Sequence, residues 1–301
     1  MIGLERGTVK LYPHEQLWET QAQETISRLK EILGDTVKDI RHVGSTAIKS
    51  IKAKPIIDIS LAVDSFEDVL SYEKKLKDAG FYYRPKAQSF LGDQLLFACG
   101  SYYDGTGNIQ THFIHVVKSG SMDHLNYINF VEYMNDFPAA AKAYERVKES
   151  LDDSTDDRSV YIQGKAEFIK YALRKALNYS FLGKVVNIEI DRPIGYVHRK
   201  GEKVLHYPIN YGYIPNVIGG DGEELDVYLL GVDKPVERYT VKIIAVIHRR
   251  EHEEDKLVGA PLGMTFTEKE IAEAVHFQEK FYSDYIQTDK NDFFFEEKYL
   301  K

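Results

Sequence analysis

A chain of 301 residues, 43% hydrophobic and 29% charged, has the balance of a folded globular protein of about two domains. Its formal net charge of −8, with no basic tail or stripe, excludes a nucleic-acid binder that works by broad phosphate neutralisation. Cys99, the single cysteine, excludes an internal disulfide and a cysteine-built metal site and fits a reducing, cytoplasmic compartment. Pro55 to Val63, the most apolar stretch, is too short to span a membrane and is interrupted by Asp58, while Glu5, Glu15, Glu19 and Glu24 break up any signal peptide.

Helical periodicity runs from His14 to Leu33 through Leu17, Ile26 and Leu29, and Gly34 ends it. Ile40 to Val43 and Ile56 to Val63 read as buried strands. Ser65 caps a predicted helix from Phe66 to Ala79, closed by Gly80. Leu95 to Cys99 and Thr111 to Val117 are further strands, and from His124 to Leu177 the pattern is helical, broken at Pro138 and near Asp152, Asp153 and Ser154. Strands and helices followed by helices alone predict an α+β domain with a helical cap. That pattern stops between Tyr179 and Lys184, which sets domain bounds of 1–180 and 184–301. Beyond it, Val185 to Ile190, Val204 to Tyr207, Val227 to Gly231 and Val241 to Ile247 are short β-rich runs at even spacing, as in a small barrel. Thr267 and Glu270 form a capping box that opens a terminal helix through Ile271, Ala274, Val275 and Phe277 to about Tyr282.

Two stretches carry chemistry. In the first half, Gly44-Ser45-Thr46 can turn tightly and present N–H groups and hydroxyls to phosphate oxygens. Strand alternation sets Asp58 and Ser60 on one face and Ile57, Ile59 and Leu61 on the other. A carboxylate in an apolar strand is costly unless paired or metal-bound. Lys54 and Arg41 are partners within reach, and an ordinary helix-start turn accounts equally for Gly44-Ser45-Thr46. In the second half, Tyr207 and Tyr211 lie on the extended run Leu205 to Pro215, ahead of Asp221-Gly222-Glu223-Glu224-Leu225-Asp226. Carboxylates so crowded repel unless cations fill them, and hard oxygen ligands select Mg²⁺ or Mn²⁺. The competing reading is a solvated acidic hairpin, since Asp221-Gly222 is a good turn dipeptide. Trp18 and Cys99 read as core, and the run Arg249 to Glu254 as a solvated loop or a ligand set.

From about Leu11 to Ala176 the chain resembles the GrpB family, through His42-Val43-Gly44-Ser45-Thr46-Ala47, Lys54-Pro55-Ile56-Ile57-Asp58 and Thr111-His112-Phe113-Ile114-His115-Val116-Val117. The resemblance implies the nucleotidyltransferase fold, with Gly44, Ser45, Thr46 and Lys54 at a nucleoside triphosphate and Asp58 on Mg²⁺. Ser60 stands where the second aspartate of the usual pair is expected, and Ile48-Lys49-Ser50 replaces Val-Pro-Gly. His112 and His115 alternate to opposite faces, so one at most can face Asp58.

From Lys184 to about Tyr282 the chain resembles the soluble family I inorganic pyrophosphatases in a short form. Glu189, Tyr207 to Pro215, Asp221 to Val227 and Lys256-Leu257-Val258-Gly259-Ala260-Pro261 recur in the family's order. This implies a small OB-like β-barrel with a terminal helix and Mg²⁺-dependent hydrolysis of pyrophosphate. It makes Asp221 and Asp226 metal ligands, with Glu254 or Asp255 beside them and Glu251 a weaker choice. Tyr211 and Tyr207 would bind phosphate or water, Lys256 a phosphate oxygen, and Glu223, in the place of an aspartate, would be the general base. Phe281-Tyr282 stands where the family has a Tyr-Lys pair, and Arg192, His198, Arg199 and Arg249 are the candidates to replace that cation.

Together the resemblances imply a nucleotidyltransferase-like domain followed by a diphosphatase that removes the pyrophosphate the first releases. Glu223, Asp226, Tyr211 and Asp58 carry the chemistry in that reading. Two others stay open: a nonenzymatic phosphate- or nucleotide-binding protein, and a diphosphatase-like half acting on another diphosphate ester beside a GrpB-like scaffold.

Overall fold

The fold comes from a computed structural model, which describes residues 1–8, 10–85, 93–150, 158–201, 203–250 and 252–300. The chain divides into two compact units, Met1–Phe168 and Ile169–Lys301.

In the first unit, β1 (Leu4–Glu5) precedes α1 (Gln16–Leu33), whose buried stripe of Trp18, Ala22, Ile26, Leu29 and Leu33 follows helical spacing. Next come β2 (Asp39–Val43) and β3 (Ile57–Val63). Two short helices, α2 (Phe66–Leu70) and α3 (Glu73–Asp78), stand where one was expected. The Ser71 hydroxyl donates to the Asp68 carbonyl, and the Tyr72 N–H bonds Val69 O, one residue short of α-helical register. β4 (Tyr82–Tyr83), β5 (Leu95–Cys99), α4 (Ser101–Asp104), β6 (Ile109–Gln110) and β7 (His112–Lys118) follow. Then come α5 (Met122–Asp136), α6 (Pro138–Glu149) and α7 (Arg158–Phe181), the last running across the division between units. Pro138 opens α6 at a position where a missing N–H costs nothing. The break expected near Asp152, Asp153 and Ser154 lies outside the described residues.

The sheet order is β2-β3-β7-β5-β4, with β3 and β7 parallel and the other pairs antiparallel. Ile57, Ile59, Leu61 and Val63 share one core with the α1 stripe. The opposite face therefore presents Asp58 and Ser60, with Arg41 and His115 in register beside Ser60. α5 covers that face: the Tyr127 ring lies on His115 and His124 Nε2 contacts Asp39 at 3.1 Å.

The second unit continues with β8 (Val185–Arg192), β9 (Val197–Lys200), β10 (Lys203–His206), β11 (Asn210–Ile218), β12 (Glu224–Leu229), β13 (Arg238–Arg249), β14 (Lys256–Ala260), α8 (Glu268–Glu279), β15 (Asp284–Gln287) and α9 (Glu297–Leu300). The order β14-β12-β11-β8-β13 closes because β13 also pairs with β14, giving a five-stranded barrel to which β15 adds at β13. Closure satisfies the strand edges that an open sheet would expose. β9 and β10 form a separate hairpin. Gly212 is required where β11 meets β8, for a Cβ there would overlap the Glu189 carbonyl. Asn210 is buried and staples the surrounding loops: its Oδ1 accepts the Ile194 N–H at 3.0 Å, and its Nδ2 donates to the Val232 and Lys234 carbonyls. α8 opens on the Thr267–Glu270 capping box and buries Ile271 and Val275 against Tyr207, Tyr211 and Tyr228. Among the described residues no helix is long and apolar enough to cross a membrane.

Candidate functional sites

In the first unit Asp58 Oδ1 lies 3.1 Å from His115 Nε2, so of the two alternating histidines it is His115 that faces the carboxylate. Arg41 instead pairs with Asp39 at 3.1 Å. Gly44 has a left-handed φ of 69° and lies so close to Asp58 that a Cβ would strike the carboxylate. The glycine thus lets the short 3₁₀ turn Ser45–Ala47 come down beside Asp58. Thr46 leaves the proposed phosphate-binding set: it is buried, with its hydroxyl 3.3 Å from the Ile56 carbonyl and 2.9 Å from His42 Nε2. Lys54 stands just before the bend at Pro55 that leads into β3. Ser60 Oγ and His115 Nδ1 are buried without hydrogen-bond partners among the described residues. On the α1 side, burial pulls His42 and His112 down to about 4 against the opposing pull of Asp58, so both rings are neutral at pH 7. The cluster offers one carboxylate and one imidazole beside a tight turn.

In the barrel, register sets Tyr213 opposite both Glu189 and Asp226, and Tyr211 opposite both Arg192 and Tyr228. Tyr213 donates to Glu189 at 3.2 Å, and Arg238 pairs with the same carboxylate at 2.9 Å. Lys256 begins β14, and its buried ammonium is held by Asp226 and Glu254 together. Burial pulls that ammonium down to about 8, with Asp226 pulling the other way. The Tyr207 and Tyr211 rings are buried in the core that the barrel strands share with α8, so only their hydroxyls can act. Tyr207 Oη accepts from Arg192 at 2.7 Å. Tyr211 Oη is buried without a partner among the described residues, the Asp226 carboxylate approaching outside hydrogen-bond geometry. Burial first, then Asp226, holds this phenol well above its ordinary pKa, so it remains a donor. Asp221 and Glu223 are exposed on the turn joining β11 to β12, where Asp221 Oδ1 accepts the Glu223 N–H at 3.1 Å. Asp221-Gly222 therefore does make the hairpin turn, while Asp226 belongs to the strand.

Among the described residues no three His, Cys, Asp or Glu side chains gather at metal-ligand spacing. The donor set is instead Asp226 and Glu254, converging on a point that the Lys256 ammonium fills. Mg²⁺ is commonly bound through one or two carboxylates, with water and substrate oxygens completing its sphere. The pair fits one such ion.

Asp255 does not join that pair. It is fully buried, with Lys175 Nζ at 2.8 and 3.1 Å, His248 Nδ1 at 3.1 Å, Asn178 Nδ2 at 3.1 Å and the Arg249 N–H at 3.2 Å. Burial alone would raise its pKa, but Lys175 and His248 outweigh that and hold the carboxyl well below its ordinary range. Its oxygens are committed to the fold, which removes Asp255 from the metal ligands. Arg249 is buried too, forked onto Glu279 at 2.9 and 2.6 Å with its third nitrogen on Glu254 at 2.9 Å, over the Tyr282 ring at 3.8 Å. Glu251 lies outside the described residues. Sequence reasoning missed Lys175 and Glu279. The available signal was position: Lys175 adjoins buried Ala172 and Ala176, and Glu279 follows buried Val275 by one helical turn.

The GrpB protein family model matches residues 8–175, and the inorganic pyrophosphatase family model matches residues 169–300. Over 177 residues the chain is 35% identical to the glutamate-rich protein GrpB of Alkalihalophilus pseudofirmus, an alignment covering 58% of this chain and 99% of that protein. The crystal structure of GrpB from Enterococcus faecalis is similar at 25% identity, with a TM-score of 0.47, covering 55% of this chain and 98% of that one. An inorganic pyrophosphatase structure from Coxiella burnetii is similar at 20% identity, with a TM-score of 0.28, covering 36% of this chain and 90% of that one.

Proposed function

Because the chain belongs to the GrpB family through its first half and carries an inorganic pyrophosphatase domain in its second, we propose that it carries out Mg²⁺-dependent phosphate chemistry, with hydrolysis of inorganic diphosphate to two phosphates in the barrel. The observation that carries this reading is the convergence of Asp226 and Glu254 on one cation-filled point beside the Tyr211 hydroxyl, which has no hydrogen-bond partner among the described residues. Asp226 and Glu254 would hold Mg²⁺, with Asp221 reaching in from the turn, and the Lys256 ammonium would turn from these carboxylates to a phosphate oxygen. When bound, Mg²⁺ neutralises phosphate charge and acidifies a coordinated water. The Tyr211 hydroxyl donates to a phosphate oxygen, and Glu223 takes the proton of the attacking water, its extra methylene serving to reach inward from the turn. We further propose an OB-like barrel, a nucleotidyltransferase-like sheet with a helical cap, domain bounds of 1–180 and 184–301, and a cytoplasmic location.

For the first unit, Gly44, Ser45 and Lys54 would present a nucleoside triphosphate to Asp58. The buried Ser60 hydroxyl, without a hydrogen-bond partner among the described residues and standing in for a second carboxylate, favours another reading there: nucleotide binding without turnover. Phosphate release from inorganic diphosphate by the full chain tests the barrel. Release is expected in Mg²⁺ and is expected to fall at least about 100-fold in Asp226→Asn. Release no greater than a buffer blank in both Mg²⁺ and Mn²⁺ overturns the diphosphatase reading.

A further inference from the structure

Diphosphate needs a cation of the protein's own to hold the phosphate remote from the metal, and the expected lysine is absent because Phe281-Tyr282 occupies that place. Of the basic groups around the barrel centre, two are already committed. Lys256 is 3% exposed and shared by Asp226 and Glu254. Arg249 is 1% exposed and divided between Glu254 and Glu279. His198 and Arg199 lie on the separate β9–β10 hairpin.

Arg192 differs from all of these. It ends β8 directly opposite Tyr211, and its side chain is 30% exposed. Its guanidinium carbon sits 5.4 Å from the Tyr207 ring centre and 5.0 Å from that of Tyr211. One terminal nitrogen donates to Tyr207 Oη at 2.7 Å, while its carboxylate contact, Nε to Asp191, is a long 3.5 Å. Two rings and a hydroxyl thus fix the plane of the fork without neutralising it. A planar guanidinium held this way is suited to two phosphate oxygens at once. Beside it lies the buried hydroxyl of Tyr211, a donor with no acceptor among the described residues.

We propose that Arg192 grips the phosphate of the diphosphate substrate remote from the metal-binding carboxylates, steadied by Tyr207 and sharing that phosphate with the Tyr211 hydroxyl. The inference rests on the diphosphatase reading and names the residue that replaces the missing cation. It also changes the part assigned to Tyr207, which becomes a positioning residue acting through Arg192.

Calorimetric titration of the full chain with imidodiphosphate, a non-hydrolysable diphosphate, in Mg²⁺ tests it, alongside KM and kcat for diphosphate. Arg192→Gln is expected to weaken binding about 10- to 100-fold, and Arg192→Lys to recover part of the loss. KM is expected to rise by more than kcat falls, and the unfolding midpoint of Arg192→Lys to stay near that of the parent. Wild-type binding with both variants within about twofold of it overturns the inference and leaves the diphosphatase reading standing. Equal losses in both variants, accompanied by a lowered midpoint, assign Arg192 a structural role and overturn it as well. Failure of the unaltered chain to bind or hydrolyse diphosphate overturns the underlying reading itself.

Discussion

Asp226 and Asp255 carry the same carboxyl group, and their surroundings assign them different work. Asp255 has no exposed surface and balances Lys175 and His248, so its removal leaves a buried ammonium without its counter-charge. Asp255→Asn is expected to cost about 3–5 kcal/mol of stability, read by denaturant unfolding. Asp226 is partly exposed and shares a single cation with Glu254, so Asp226→Asn is expected to strike phosphate release while leaving the unfolding midpoint near wild type. His42 and His112 set a limit on acid stability. Their folded pKa values of about 4 lie below the ordinary 6.5, so the unfolded chain takes up protons that the folded chain refuses. Stability from these two groups is therefore full above about pH 6.5 and lost as pH falls toward 4, on the order of 3 kcal/mol each before solvent screening. Unfolding midpoints followed from pH 7 to 4 in the parent and in His112→Gln check this: the variant is expected to lose less on acidification.

At the level of elements, β11 organises the barrel centre. It sends Tyr211 and Tyr213 to one side, while Gly212 lets it lie against the Glu189 backbone. Gly212→Ala has no room for its methyl group and must push β11 from β8, at a cost of about 3 kcal/mol, the upper end of what overpacking usually costs. Loss of phosphate release together with a lowered unfolding midpoint is the expected result, and wild-type values for both would show that the strands can part cheaply. Element types were legible where one pattern dominated. The α1 stripe and the apolar run of β3 stand out in the sequence, and the Thr267–Glu270 box marks the start of α8. The interruption between α2 and α3 was not legible, because a serine hydroxyl taking a local carbonyl leaves the apolar spacing unchanged. β9 and β15 escaped notice because short strands stabilised by their neighbours carry little pattern of their own.

For the molecule as a whole, two compact units carry separate clusters, so separate faults are expected. Asp58→Asn is predicted to weaken Mg²⁺-dependent binding of a nucleoside triphosphate, and Asp226→Asn to abolish phosphate release. Full nucleotide binding by Asp58→Asn in a filter or calorimetric assay would remove the metal role from Asp58.

The sequence by itself determined that the chain has two halves, each with a motif dense enough to name a family; it singled out Asp58 as a carboxylate in need of a partner and, through the pyrophosphatase resemblance, Asp226 and Lys256 as site residues. Motif residues lie close together along the chain, and their spacing on a strand fixes the face they share. Only the tertiary structure decided who those partners are. His115 comes to Asp58 across a parallel strand pair, and the parallel pairing of β12 with β14 brings Asp226 to Lys256 and its neighbour Glu254. Asp255 turns inward to Lys175 on a helix far away in sequence. Such pairings depend on which surfaces meet when the chain folds, and a carboxylate's charge alone says nothing of which cation will reach it.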